Sequence, residues 1–106
     1  MKVFFTKDLE ELYTTGRNRK YSAVARNRVL FNGYVRAVQT MILVGKVDEL
    51  KGYSFLHYEQ LRHELSAYSS VRLSNAYIHR LIFRETEEGL TIELIEIDNT
   101  HYGNKR

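Results

Sequence analysis

The stretch SVRLSNAYIHRLIFRETEEGLTIELIEI, residues 70–97, decides the fold of this chain because apolar and polar residues alternate along it. A period of two is typical of β-strands, whose successive side chains point to opposite faces. The alternation is clearest around Val71 and Leu73, residues 77–85 are rich in β-forming residues, and residues 90–97 form the last run. The last run is apolar on both faces, which predicts an interior strand. Asn75-Ala76 predicts a tight turn between the first two strands, and Glu87-Glu88-Gly89 predicts a hairpin turn between the last two.

The residues before this stretch have a mainly helical pattern. Residues 3–5 predict one short strand, after which Thr6 can cap a helix that ends at Gly16. Apolar residues then recur at helical spacing, which predicts a longer helix over roughly residues 20–44, with a candidate break at Asn27.

Residues 45–67 show no clear period, and we interpret them as a long connection anchored to the core. The predicted element order is therefore β-α-α-β-β-β. Such an order indicates an α+β fold in which two N-terminal helices pack on one face of a mainly antiparallel sheet. A chain of 106 residues has the length of one domain, so we expect a single domain over residues 1–106.

The composition restricts the chemistry that is available to the protein. The chain has no cysteine, which excludes disulfides, thiol catalysis and thiolate metal sites. No apolar run is long enough to cross a bilayer and the N-terminal apolar run is too short for a signal peptide, so we expect a cytoplasmic protein without a membrane partner. The net charge of +3 permits a nucleic-acid partner without requiring one. Basic residues concentrate in one stretch that contains no acid, at Arg17, Arg19, Lys20, Arg26 and Arg28.

The strand alternation also places arginines on one face of the predicted sheet. If the apolar residues of the first two strands face the helices, then Arg72, Arg80 and Arg84 face away from them. Several guanidinium groups on an uncovered sheet face suit phosphate binding. The alternative is a solvated face on which these arginines form ion pairs with Glu85, Glu93 and their neighbours.

Residues 58–102 resemble the C-terminal half of HigB-like killer proteins in the RelE/ParE superfamily of toxins. The motifs that carry the resemblance are YEQL (residues 58–61), SVRL (70–73), YIHRLIF (77–83), and LIEI followed by HYG (94–97 and 101–103). The N-terminal half is similar in a looser way, through GRNRKY (16–21) and the long amphipathic helix. The order and spacing of the motifs, rather than any one of them, imply a RelE-like fold.

This resemblance implies the toxin of a type II toxin–antitoxin pair that cleaves mRNA on the ribosome and is neutralised by a HigA-type antitoxin. It implies an endoribonuclease that uses no metal and no cofactor. The 2′-hydroxyl of the RNA attacks the adjacent phosphate, which leaves a 2′,3′-cyclic phosphate and a 5′-hydroxyl. That reaction needs a base for the 2′-hydroxyl, positive charge for the transition state, and an acid for the departing 5′-oxygen.

By the same resemblance, the catalytic residues are expected to be Arg72, Arg80, His101, Tyr102 and His57. The two arginines would bind the scissile phosphate, while His101 and Tyr102 would provide proton transfer and base stacking. The position of the family's histidine falls on Glu59 in this chain, and His57 lies two residues earlier, which is a departure from the family pattern. The plainer alternatives are a terminal segment without function and a polar surface histidine.

Further contacts with RNA are expected from basic side chains outside this centre, at Arg84, Arg17, Arg19, Lys20 and Lys105. Phosphate contacts of this kind add affinity without sequence choice. The alternative for the basic run is a solvated surface. His79 is expected to point towards the helices and to be structural.

Two other functions compete with the nuclease. A ParE-type member of the same superfamily would inhibit DNA gyrase and cleave no RNA. A non-catalytic module would only bind an antitoxin or RNA, and its sheet would carry arginines without organised groups for proton transfer.

Overall fold

The computed structural model describes residues 1–100, apart from the side chain of His63. Within this range the helices and strands follow in the order β1 (Lys2–Phe4), α1 (Lys7–Thr15), α2 (Ser22–Ala25), α3 (Arg28–Leu43), β2 (Glu59–Gln60), β3 (Ser69–Arg72), β4 (Arg80–Thr86) and β5 (Thr91–Asp98). Short 3₁₀ turns lie between α3 and β3, at Val47–Gly52, Ser54–Leu56 and His63–Leu65. The helices pack on one face of the sheet, so the predicted α+β fold is confirmed.

The strands form one sheet in the order β1-β5-β4-β3-β2. β1 runs parallel to β5, and the other neighbours are antiparallel, as a mainly antiparallel sheet requires. β5 lies between β1 and β4, which is the interior position that its apolar pattern predicted. β2 was not predicted, because a strand of two residues is too short to show a period.

The chain turns at Asn75-Ala76 as predicted, but this turn lies within a longer loop over residues 73–79 and not in a tight hairpin. Local hydrogen bonds satisfy polar groups of this loop. Oγ of Ser74 accepts a hydrogen bond from the backbone N–H of Ala76 at 3.1 Å, and the Arg72 guanidinium donates to the carbonyl oxygen of Tyr77 at 3.2 Å. Such side-chain bonds compete with ladder pairing, and β4 therefore begins later than its β-forming residues predict.

The turn between β4 and β5 lies where the sequence predicts it. Glu88 and Gly89 there have φ angles of 57° and 85°, the left-handed region that tight turns use. A β-bulge follows in β5, because Ile82 pairs with Glu96 whereas the next residue, Phe83, pairs with Leu94. The bulge absorbs one residue of β5, so the alternation of β4 between the two faces is kept.

The helices begin and end at residues that the sequence indicates. Oγ1 of Thr6 accepts a hydrogen bond from the N–H of Leu9 at 3.3 Å, and Gly16 ends α1 at a φ of 74°. The side chain of Asn27 accepts a hydrogen bond from the N–H of Leu30 at 3.1 Å, which starts α3 and separates it from α2. The predicted break is therefore confirmed. None of the helices within residues 1–100 is long and apolar enough to cross a membrane.

The core lies between these helices and one face of the sheet. Tyr34 and Met41 of α3 are fully buried in it together with Leu81 and Phe83 of β4. Because side chains alternate along a strand, the neighbours of Leu81 and Phe83 point to the opposite face. That opposite face carries Arg72, Arg80 and Arg84, and we call it the arginine face.

Candidate phosphate-binding site

Two arginines lie opposite each other on the arginine face. Arg72 of β3 and Arg80 of β4 are cross-strand partners, next to the fully buried pair Val71 and Leu81. Directly opposed residues of an antiparallel pair have Cβ atoms about 5 Å apart, so the two side chains start from neighbouring points. Like charges placed this close repel each other unless an anion compensates them.

Arg80 has such a compensating anion within the chain. Its Nη1 donates a hydrogen bond to Oε1 of Glu59 at 2.9 Å. The side chain of Arg80 is only 12% exposed, whereas that of Glu59 is 43% exposed. A guanidinium removed this far from water requires a charged partner. The pair was not predicted from the sequence, because Glu59 lies on β2, and a strand of two residues shows no period.

The register shows how the pair is built. Glu59 lies opposite Ser70 of β3, and Ser70 lies opposite Ile82 of β4. The side chain of Arg80 therefore crosses β3 to reach β2. Ser70 and Ile82 lie in the same row of the arginine face and are 1% and 0% exposed, so this part of the face is closed to solvent. Oγ of Ser70 is buried there without a hydrogen-bond partner among residues 1–100.

Arg72 is bound differently from Arg80. Its guanidinium donates a hydrogen bond to the carbonyl oxygen of Tyr77, and it belongs to none of the ion pairs found within residues 1–100. A carbonyl oxygen holds the side chain in place without neutralising its charge. Arg72 is thus the cation of the facing pair that keeps its charge available to a ligand.

Arg84 lies on the same face but is neutralised. It forms an ion pair with its cross-strand partner Glu93, and the hydrogen bond between them raises the pKa of Arg84. Both side chains are substantially exposed. Arg84 therefore forms the solvated ion pair that the sequence left open as the alternative to phosphate binding. Its contact with RNA stays a prediction.

The remaining predicted site residues are not on the arginine face or lie outside the described residues. His57 is exposed, at a left-handed φ of 47°, two residues before Glu59. Arg17 and Arg19 are exposed on the loop between α1 and α2, as is Lys20. His101, Tyr102 and Lys105 lie outside the described residues.

The buried Asn18 holds that basic loop in place. Its Nδ2 donates hydrogen bonds to Asp8 at 3.0 Å and to Glu11 at 2.7 Å, and its Oδ1 accepts one from the N–H of Tyr21 at 3.0 Å. The basic side chains thus project from an ordered loop, which limits the entropy that they would lose on binding.

The site combines two kinds of group that chemistry at a phosphate uses, a proton acceptor and cations. It offers a carboxylate that can accept a proton and two guanidinium groups that can bind a phosphate through paired N–H donors. Within residues 1–100, no cluster of three or more His, Asp or Glu side chains has an arrangement that could hold a metal ion. β5 ends at Asp98, the cross-strand partner of Arg80, so the described chain leaves the sheet beside the arginine pair.

One solved structure gives a comparison for the whole fold. The YoeB/ParE toxin from Agrobacterium tumefaciens is similar with a TM-score of 0.51 and 19% sequence identity, over 95% of this chain and 100% of that one. No protein-family model matches the chain, and no curated protein matches it. The fold of this chain is therefore similar to the fold of a YoeB/ParE toxin.

Proposed function

We propose that this protein is the toxin of a type II toxin–antitoxin pair and acts as a ribosome-dependent mRNA endoribonuclease. The fold is that of RelE/ParE toxins, and one observation carries the choice of a nuclease. Arg72 and Arg80 face each other on the adjacent strands β3 and β4, and the carboxylate of Glu59 lies within hydrogen-bond distance of Arg80. When the 2′-hydroxyl of an RNA cleaves the adjacent phosphodiester bond, the reaction requires bound phosphate and a proton acceptor. Paired guanidinium groups beside a carboxylate supply both.

In the proposed reaction, the scissile phosphate replaces the carboxylate on Arg80 and is also bound by Arg72. Glu59 is then released next to the bound nucleotide and takes the proton of the 2′-hydroxyl. The 2′-oxygen forms a bond to phosphorus, the bond from phosphorus to the 5′-oxygen breaks, and the arginines stabilise the charge on the phosphate oxygens. The products are a 2′,3′-cyclic phosphate and a 5′-hydroxyl.

The departing 5′-oxygen needs a proton, and we assign this role to His101. It follows the end of β5, which lies opposite Arg80. An imidazole titrates near neutral pH and can act as an acid there. Tyr102 would stack on a base, and His57, exposed two residues before Glu59, would be a helper in proton transfer.

The proposed partners follow from this role. They are the ribosome with its mRNA and an antitoxin, for which the HigB-like motifs favour a HigA-type protein. Binding of an antitoxin over the arginine face would block access to Arg72 and Arg80. A helix-turn-helix reading frame next to the gene would support this assignment.

An in vitro translation assay tests the proposal. The purified protein should cleave mRNA when ribosomes are present, and Glu59→Gln should lower the rate by about 10²–10⁴-fold, the usual contribution of a general base. Lys7→Gln, an exposed change on α1, is the matched control and should cleave like the wild type. Intact mRNA in the presence of ribosomes and wild-type protein would contradict the proposal.

Inhibition of DNA gyrase is the second candidate, because the similar solved structure is named as a YoeB/ParE toxin. A supercoiling assay with the same protein preparation separates the two functions. Loss of supercoiling together with intact mRNA would favour the gyrase inhibitor, and the reverse result would favour the nuclease.

A further inference from the structure

A small cavity lies where the sheet meets α2, on the other side of β4 from Arg80. It has a volume of about 230 Å³ and is lined by Lys20, Tyr21, Val24, His79, Ile97 and Asn99, among others. The cavity is smaller than a typical site for a drug-sized ligand, so it suits one small planar group.

His79 is the polar group that the fold leaves unexplained in this cavity. Its Nδ1 is buried and has no hydrogen-bond partner among the described residues. A charged ring would bury an N–H at Nδ1 without an acceptor, and burial accordingly lowers the pKa of His79, although Asp98 opposes the shift. The ring is therefore neutral at neutral pH. The tautomer that avoids a buried unpaired donor carries its proton on Nε2, which makes Nε2 a donor.

The other lining residues complete a site with donors at its rim and an apolar wall. Lys20 brings an ammonium group to the cavity, and its Nζ lies 5.4 Å from the centre of the Tyr21 ring. The Tyr21 hydroxyl oxygen accepts a weak hydrogen bond from the N–H of Ile97 at 3.4 Å, so its own O–H is available as a further donor. Val24 and Ile97 supply apolar surface against which a flat ring can pack.

The position of the cavity connects it to the arginine face. His79 directly precedes Arg80, and consecutive Cα atoms are about 3.8 Å apart. The side chains of the two residues leave the chain towards opposite faces at the same end of the sheet. A nucleotide whose phosphate is bound by Arg72 and Arg80 would have to extend around the end of the sheet to reach His79.

We propose that this cavity is a base-specificity pocket that receives one nucleobase of the RNA strand held at the arginine pair, and that it prefers guanine to adenine. The inference rests on the proposed function, because it takes RNA as the ligand. The preference follows from the donors. Nε2 of the neutral His79 and the Lys20 ammonium can only donate, and guanine presents two acceptors, O6 and N7, on one edge. Adenine presents its N6 amino group in place of O6, so a donor would meet a donor. The Asn99 amide can donate or accept and does not decide between the two bases.

Binding of mononucleotides to the purified full-length protein tests this pocket without ribosomes. The imidazole signals of His79 are followed by NMR during titration with guanosine 5′-monophosphate, adenosine 5′-monophosphate and ribose 5-phosphate. We expect the guanine nucleotide to bind at least about tenfold more tightly than the adenine nucleotide, which is the usual scale for one well-made pair of hydrogen bonds to a base edge. Ribose 5-phosphate should leave the His79 signals unchanged.

Two variants identify the groups responsible. His79→Phe keeps a ring of similar shape and removes the donor, so the preference for guanine should fall to within about twofold, while affinity for ribose 5-phosphate is kept. His79→Gln, whose amide can donate or accept, provides a second measurement if the phenylalanine variant does not fold, and it should also lower the preference for guanine. Lys20→Gln should weaken the binding of guanosine 5′-monophosphate. Lys7→Gln removes the same charge away from the cavity and should leave this affinity unchanged.

Equal affinity of the wild type for the three probes would overturn the proposal, and so would an unchanged guanine preference in a folded His79→Phe. A protein that binds guanine nucleotide at His79 but cleaves no mRNA would refute the proposed nuclease and leave the pocket standing. A protein that cleaves mRNA but shows no shift at His79 with any nucleotide would refute the pocket alone.

Discussion

Replacing Gly33 by alanine sets two physical effects against each other, and the structure decides which is larger. In an isolated helix, Gly→Ala stabilises by about 1 kcal/mol because alanine has the higher helix propensity. In this protein, a Cβ on Gly33 of α3 would lie 1.9 Å from the carbonyl oxygen of Leu73 and 2.8 Å from its carbonyl carbon. The helix and the strand end approach each other this closely only because the side chain is absent.

The clash is with backbone, so it cannot be relieved by rotating a side chain. Restoring the 3.4 Å of an ordinary contact would require α3 and Leu73 to separate by about 1.5 Å, the difference between 3.4 and 1.9 Å. Forcing extra atoms into a packed core costs about 1–3 kcal/mol and sometimes more. We therefore expect Gly33→Ala to lower the free energy of unfolding by about 2 kcal/mol after the helix propensity is included, and Tm by about 10 °C.

Urea unfolding and thermal melts followed by circular dichroism measure this effect. Gly52→Ala is the matched control, because a Cβ there has no other atom within 4 Å. The control should stay within about 0.5 kcal/mol of the wild type, as surface substitutions usually do. A Gly33→Ala protein as stable as the wild type, beside a control that behaves as expected, would refute the packing of α3 against Leu73.

The other predictions concern a cap, a buried hydroxyl and a titrating ring. Asn27→Ala removes the acceptor for the N–H of Leu30 and should lower the free energy of unfolding in urea by about 1 kcal/mol. Asn27→Asp keeps an acceptor and should retain most of the stability. Tyr34→Phe removes a buried hydrogen bond of 2.7 Å to the carbonyl oxygen of Leu9 and should also cost about 1 kcal/mol; no loss would mean that this bond is replaced. Because burial lowers the pKa of His79, the unfolded chain binds a proton on this ring at a higher pH than the folded protein does. Stability should therefore fall as the pH drops below about 6.5, and it should fall less in His79→Gln; equal pH dependence of the two proteins would contradict this reasoning.

Much of the fold could be predicted because local patterns and tertiary burial agree in it. β5 is apolar on both faces and lies inside the sheet. Asn27 stops one helix and caps the next, and Gly16 ends α1, because each residue acts on the backbone within a few positions of itself. The alternation around Leu81 correctly placed Arg72 and Arg80 on the face turned away from the helices.

The errors arose where a contact from outside the element determines the local structure. The turn at Asn75-Ala76 lies within a loop over residues 73–79, and one hydrogen bond of this loop comes from the Arg72 side chain and not from the turn residues. β2 is a strand only because Glu59 and Gln60 pair with β3. Two residues are too few to show a period-two pattern in the sequence. The only local signal at Glu59 is its place in the YEQL motif, residues 58–61.

The amino-acid sequence by itself determined the element types, the two faces of the sheet and the arginines on one of them, because propensity, capping and alternation act between near neighbours in the chain. The tertiary structure alone decided that Glu59 lies 2.9 Å from Arg80, and that His79 shares a cavity with Lys20. These contacts join residues far apart in sequence. Their geometry depends on strand register and helix packing, which one residue's neighbours along the chain do not specify.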